Sequence, residues 1–221
     1  TLLKPLGWKP TICLPSNASA ERKNILKSLG AELILTSPLE GTDGAQIVAK
    51  ETYAANPDKY FYADQYSNDA NWQAHYLTTA EEIWTQTKGK ITHFVAGLGT
   101  TGTFVGTARR LKELGNVQLI SLQPDHPFHP LEGWKHLATA HRPGIYDDTL
   151  ADKTLIIDSS GVFDMIRSIS IHERLFISPS GAANLLGALE VASQIKEGDI
   201  VTTLADTLDR YQEVRKEIFG T

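Results

Sequence analysis

Phe94-Val95-Ala96-Gly97-Leu98-Gly99-Thr100-Thr101-Gly102-Thr103-Phe104-Val105-Gly106 joins two different periodicities. The apolar run Ile91 to Ala96 has the length and composition of a buried strand. Beyond the glycines, Val105, Ala108, Leu111 and Leu114 recur at helical spacing. Gly97, Gly99 and Gly102 break the chain between them. A glycine-rich turn that delivers a strand into a helix N-terminus leaves backbone N–H groups unpaired and pointing outward. Thr100, Thr101 and Thr103 add hydroxyl donors to the same turn. These are the parts of a phosphate cradle, without the Lys that a P-loop carries inside the loop.

The flanks repeat the strand-then-helix rhythm. Upstream, Thr11 to Leu14 predicts a strand, and Ser19 an N-cap with Glu21 in the first turn. Ile25, Leu26 and Leu29 form an apolar face that ends at Gly30. Ala31 to Leu35 predicts a second strand, and Gly44 to Ala55 a helix closed by Asn56-Pro57. Trp72 to Gln86 reads as largely helical, with Trp72 and Trp84 as core residues. After Gly115 come a strand over Val117 to Leu122, another over Thr154 to Ile157, helices over Gly161 to His172 and Ala182 to Gln194, a strand over Asp199 to Leu204 and a closing helix over Arg210 to Phe219. Alternation at this spacing implies parallel pairing through right-handed crossovers.

The rhythm lapses between Pro124 and Asp152, where Pro124, Pro127, Pro130 and Pro143 alternate with His126, His129, His136 and His141. A connection this long in a compact domain is usually functional or mobile. His126 and His129 invite a metal reading, but no carboxylate or thiolate completes a ligand set at suitable spacing, so no metal is expected. Gly97 and Gly106 also have a purely structural explanation, close packing of a helix on the sheet.

With 221 residues and a net charge of -5, the chain has length for a sizeable core and no basic excess to suggest nucleic acid or an anionic membrane. Cys13 is the only cysteine, which fits a reducing cytosol and a buried structural thiol. No apolar run approaches the roughly 18 residues needed to cross a bilayer. The opening Thr1-Leu2-Leu3-Lys4-Pro5 has no apolar signal region, and it begins as if mid-helix.

Gly97-Leu98-Gly99-Thr100-Thr101-Gly102 satisfies the dinucleotide pattern G-x-G-x-x-G. The acidic partner that should hold the ribose is weak, since Asp125 follows Pro124 into the irregular segment. The threonines suit a phosphate monoester better, because each terminal oxygen can take its own donor. A nicotinamide-binding domain is therefore a distant alternative.

The loop does not stand alone. Gly99-Thr100-Thr101-Gly102-Thr103 resembles the phosphate loop of the pyridoxal-phosphate enzymes of the cysteine synthase (O-acetylserine sulfhydrylase) group. Asp64-Gln65-Tyr66-Ser67-Asn68-Asp69-Ala70-Asn71, followed by His75, Thr78-Thr79 and Glu82-Ile83-Trp84, resembles the segment preceding that loop. Ser180-Gly181-Ala182-Ala183 resembles the family's serine-glycine turn, and Asp206 to Tyr211 its C-terminal Arg-Tyr signature. The motifs follow the family order over nearly the whole chain.

The resemblance implies a doubly wound α/β enzyme with mostly parallel sheets, a two-domain tryptophan-synthase-β-like fold with pyridoxal 5′-phosphate in the interdomain cleft. Residues 1–65 would be the remainder of the smaller N-terminal domain, and residues 66–221 the larger cofactor-binding domain. By the resemblance Gly99, Thr100, Thr101, Gly102 and Thr103 bind the 5′-phosphate, Ser180 meets the ring nitrogen and Gln65 holds the substrate carboxylate. The implied reaction makes cysteine from O-acetylserine and sulfide, in a cytoplasmic protein that is commonly a homodimer. A cystathionine β-synthase-like or O-phosphoserine-using enzyme is the alternative; Lys135 and Arg142 are candidates for the phosphate ester. The other alternative is a non-catalytic homologue that acts as a binding partner.

Two features depart from the family pattern. The serine turn normally holds adjacent serines, whereas this chain has Ser178-Pro179-Ser180, leaving Ser178 or Ser180 for the ring nitrogen. The lysine that carries the cofactor as a Schiff base, and the substrate loop beside it, would precede Thr1, and Lys4, Lys27 and Lys50 match no family motif. The chain reads as the C-terminal portion of such an enzyme, with no catalytic residue of its own and no expected turnover.

Overall fold

In the computed structural model, which describes residues 3–220, contacts divide the chain into two units that meet between Ala63 and Asp64. Thr1, Leu2 and Thr221 belong to the expected domains but lie outside the described residues.

The smaller unit is built from β1 (Thr11–Pro15), α1 (Ala20–Ser28), β2 (Glu32–Thr36) and α2 (Gly41–Ala55). β1 and β2 pair in parallel from Thr11↔Glu32 to Pro15↔Thr36, with α1 as the crossover. Ser19 Oγ accepts from Arg22 N at 3.2 Å and caps α1. Gly30, at φ +86, ends the turn that follows, in a conformation that suits glycine. α2 begins at Gly41 rather than Gly44, placing Asp43 in the first turn where the helix dipole favours a carboxylate. Cys13 is half-buried on β1, and burial pushes its thiol pKa up.

The larger unit contains α3 (Ala70–Leu77), α4 (Thr79–Gln86), β3 (Ile91–Gly97), α5 (Gly102–Leu114), β4 (Gln118–Pro124), β5 (Lys153–Ile157), α6 (Val162–His172), α7 (Pro179–Gln194), β6 (Asp199–Thr202) and α8 (Gln212–Phe219). Its four strands lie in the order β5-β4-β3-β6, and every pairing is parallel. Strand alternation loads both faces of this sheet. Phe94 and Ala96 of β3 and Leu119 of β4 join a cluster with α5 residues Phe104, Val105 and Leu111. Val95, Ile120, Leu122, Leu155 and Ile157 join the opposite cluster, with Ile166 of α6, Val191 of α7 and Ile218 of α8. A sheet with a helical layer and a core on each face is doubly wound. Phe94 and Phe104 are fully buried and stacked at 6.2 Å between centroids, each burial contributing about 1.5–3 kcal/mol.

The segment expected as largely helical over Trp72 to Gln86 is helical and divides into α3 and α4. At Thr78 the backbone turns to φ -123, ψ -71, while its Oγ1 donates to Ala74 O at 2.7 Å. A threonine hydroxyl that competes for the i−4 carbonyl loosens the helix at that point. Gly106 serves a different contact from the one expected. A Cβ there would strike Trp72 O and His75 Cβ, so its close approach is helix α5 against helix α3.

Strand order reverses at β3, which has β4 on one side and β6 on the other. The crevice outside the carboxyl ends of β3 and β6 is thus a topological switch point, where open α/β sheets bind ligands. The opening sequence motif leaves β3 there.

Candidate functional site

From Gly97 the chain turns through Leu98 to Thr101 and enters α5 at Gly102. Thr101 is the N-cap and adopts φ +73, a left-handed conformation uncommon for a β-branched residue. It is 2% exposed, and its Oγ1 is buried without a hydrogen-bond partner. The first α5 bond runs from Val105 N to Thr101 O at 2.9 Å, so the N–H groups of Thr103 and Phe104 have no carbonyl partner within the helix. Glycine is required around it. A Cβ on Gly99 would strike Gly133 O, and one on Gly102 would strike the Asn71 carboxamide.

Asn71, on α3, ties the expected site residues together. Its Nδ2 donates to Thr100 Oγ1 at 3.1 Å and to Gln65 O. Gly102 N also reaches Thr100 Oγ1, at 3.4 Å. With both lone pairs engaged, the Thr100 hydroxyl keeps its proton for an outside acceptor. Thr103 Oγ1 lies 3.2 Å from His75 Nε2, and burial lowers the His75 pKa. Gln65 itself is exposed.

Ser178-Pro179-Ser180 is not a turn but the start of α7, which begins at Pro179 rather than Ala182. Proline is pre-organised for the first helical position, which explains the earlier start. Ser178 is the N-cap: its Oγ accepts from Gly181 N at 3.2 Å and lies 3.1 Å from Ser180 Oγ. Ser178 is 0% exposed and Ser180 8%. Four residues after Ser180, Asn184 accepts from Gly97 N at 2.8 Å, joining α7 to the root of the glycine loop. Sequence reasoning missed Asn184; its signal was one amide within the apolar run Ala182-Ala183-Asn184-Leu185-Leu186.

Asp206 lies beside this helix start, where Ser178 N donates to Asp206 O at 3.3 Å. Its Oδ2 accepts from Tyr211 Oη at 2.8 Å, and its Oδ1 is buried without a partner. Asp206 stands ahead of the closing helix and does not cap it. The cap position is Tyr211, because α8 begins at Gln212 after a short 3-10 turn over Leu208–Arg210.

The irregular segment packs on the same loop. Trp134 occupies the space a Cβ on Gly97 would need, and Lys135 N donates to Leu98 O at 2.8 Å. Lys135 is 6% exposed, with Nζ 5.2 Å from the Tyr66 ring centroid. Arg142 instead pairs with Asp148 at 3.1 Å. Asp125 accepts from Ser159 Oγ at 2.8 Å, which commits its carboxylate within the fold. His129 Nδ1 accepts from Leu131 N at 3.1 Å, and burial holds its pKa low.

Helix-dipole potential, first-turn N–H groups and the unpartnered Thr101 hydroxyl converge in this loop, an arrangement suited to an anion. A family model described as Pyridoxal-phosphate dependent enzyme matches residues 2–206. A cysteine synthase of Aquifex aeolicus is 44% identical over 211 residues, a match that covers 93% of this chain and 64% of that protein. The crystal structure of O-acetyl serine sulfhydrylase isoform 3 from Entamoeba histolytica aligns with a TM-score of 0.86 at 28% identity, covering 99% of this chain and 67% of that one. That of an O-acetylserine dependent cystathionine beta-synthase from Helicobacter pylori aligns with a TM-score of 0.88 at 31% identity, covering 96% and 71%. The chain thus spans about two thirds of the length of these relatives.

Proposed function

The chain belongs to the pyridoxal-phosphate dependent enzymes, in their tryptophan-synthase-β-like fold, and we propose that it is the phosphate-binding portion of a cysteine synthase. The reaction is replacement of the acetate of O-acetylserine by sulfide. One observation supports this reading: Gly97 N, at the root of the Gly99–Thr103 loop, donates to Asn184 Oδ1 on α7, one turn after Ser180.

The cradle fits a phosphate. Thr101 holds a buried, unpartnered hydroxyl there, and Gly99 and Gly102 let the loop pack directly against Gly133 O and the Asn71 carboxamide. Bound there, pyridoxal phosphate would supply the electron sink for reaction at the α-carbon of an amino acid. The chain's own residues orient and hold it. First-turn N–H groups of α5 and the hydroxyls of Thr100, Thr101 and Thr103 would take the phosphate oxygens without a lysine in the loop. Ser180 would face the ring nitrogen, because the Ser178 hydroxyl already caps α7. A hydroxyl there keeps that nitrogen neutral, which favours β-elimination and replacement over transamination. Gln65, held next to Thr100 through Asn71, would take the substrate carboxylate.

Catalysis also needs the family's cofactor-bearing lysine, so we expect this chain alone to bind without turnover. Lys135 favours a second reading of the substrate. A lysine 6% exposed and bonded through its backbone to Leu98 O sits where an anionic leaving group could be recognised, as an O-phosphoserine-using enzyme would need. We place the protein in the cytosol as a homodimer. The lone, unpaired Cys13 and the absence, among the described residues, of a helix long and apolar enough to cross a membrane are compatible with that.

The test is the complete gene product, with sulfide and either O-acetylserine or O-phosphoserine, followed by cysteine formation. A visible absorbance band lost on borohydride, with cysteine made from O-acetylserine, supports the proposal. Cysteine made from O-phosphoserine alone selects the second reading. A colourless product that takes up no added pyridoxal phosphate contradicts both.

A further inference from the structure

The ladder between β3 and β6 stops at Val95↔Thr202. β3 itself runs on beside β4, and Leu98 N donates to Leu122 O at 3.1 Å. Successive N–H groups of a strand point to opposite sides. Gly97 N therefore points toward the β6 side, where no strand remains to receive it. Asn184 fills that rung. Its Oδ1 accepts from Gly97 N at 2.8 Å, while its Nδ2 donates to Thr203 O at 2.8 Å and Thr203 Oγ1 at 3.2 Å. A side-chain carboxamide thus stands in for a peptide group between two strands that have begun to part.

Asparagine is a poor choice for helix propensity and for a core. Asn184 is 4% exposed, and an amide is costly to bury unless its hydrogen bonds are made. Here both of its protons and its oxygen are engaged. Its position on α7 adds a second consequence. Ser180 lies at i−4, on the same helix face one turn earlier. The carboxamide that spans the two strand ends therefore also sets the start of α7 against them.

We propose that Asn184 is a positioning residue that fixes the separation between the Gly99–Thr103 loop and Ser180, so that one ligand meets both. The inference rests on the reading of that loop and Ser180 as the two anchors of pyridoxal phosphate. A clasp that sets spacing has a distinctive signature. It matters for a ligand that spans both anchors and little for one that occupies a single anchor.

The experiment titrates the protein with pyridoxal phosphate and, separately, with inorganic phosphate, for the wild type, Asn184→Leu, Ile166→Val and Gly102→Ala, with thermal unfolding of each. Ile166 is buried in the core on the α6 side and serves as a destabilised reference. Asn184→Leu is expected to lose about tenfold in affinity for pyridoxal phosphate and less than about threefold for inorganic phosphate, while Ile166→Val keeps both. Should Asn184→Leu fail to fold, Asn184→Asp keeps the acceptor for Gly97 N and loses the donor to Thr203, and a smaller loss in the same direction is expected. Unchanged affinity for pyridoxal phosphate, or parallel losses for both ligands, would overturn the inference. If the wild type ignores pyridoxal phosphate, or Gly102→Ala binds it as the wild type does, the cradle reading fails and the inference fails with it.

Discussion

His75 Nε2 lies 3.2 Å from Thr103 Oγ1, and His75 Nδ1 lies 3.0 Å from Thr79 Oγ1. One imidazole on α3 therefore links the glycine loop to the start of α4, across the break at Thr78. Burial favours its neutral form and lowers its pKa below 6.5, as it does for His129.

A depressed histidine pKa means that the unfolded chain binds protons more readily than the folded one. The stability is complete above the unfolded value of 6.5 and declines as pH falls below it, toward the lower folded value. Thermal unfolding from about pH 8 to about pH 5 should therefore show a midpoint that falls on the acid side, with a shallower fall in His75→Gln. A midpoint that rises on acidification would show that these histidines are not held neutral by burial.

Gly102→Ala sets a methyl against the Asn71 carboxamide, which is itself bonded to Thr100 and Gln65. Overpacking of this kind costs about 1–3 kcal/mol. The expected outcome is a modest loss of stability by denaturant unfolding. Loss of affinity for pyridoxal phosphate should be at least about tenfold, because the loop must shift to admit the methyl.

The two serines of α7 should separate. Ser178→Ala removes an N-cap and should cost about 1 kcal/mol of stability, with cofactor affinity close to that of the wild type. Ser180→Ala should leave stability nearly unchanged and weaken pyridoxal phosphate binding. The reverse pattern would assign the ring nitrogen to Ser178.

Phe104→Ala opens a cavity under the loop, where Phe104 is 0% exposed and stacked on Phe94. Chemical denaturation should report a loss of about 3–5 kcal/mol.

The strand–glycine–helix transition at Phe94–Gly106 was legible because hydrophobic period changes there from a buried run to helical spacing. Its flanking rhythm gave the parallel sheet for the same reason. What stayed hidden were contacts between residues far apart in sequence. Nothing local marks Asn71 as the neighbour of Gly102, or Asn184 as the missing rung beside Gly97. The break at Thr78 was hidden because Thr78 and Thr79 sit within an otherwise helical pattern. The start of α7 was placed late because Pro179 was read as turn chemistry when it occupies a first helical position. Nothing local marked the Asp206 carboxylate, whose Oδ2 is taken by Tyr211 and whose Oδ1 is buried alone.

We propose that the Gly99–Thr103 loop holds the phosphate of pyridoxal phosphate. A crystal structure of the protein with pyridoxal phosphate decides it. The phosphate is expected within hydrogen-bond distance of the first-turn N–H groups of α5 and the Thr101 hydroxyl, with Ser180 at the ring nitrogen. Phosphate density elsewhere, with Thr101 Oγ1 still unpartnered, would contradict it.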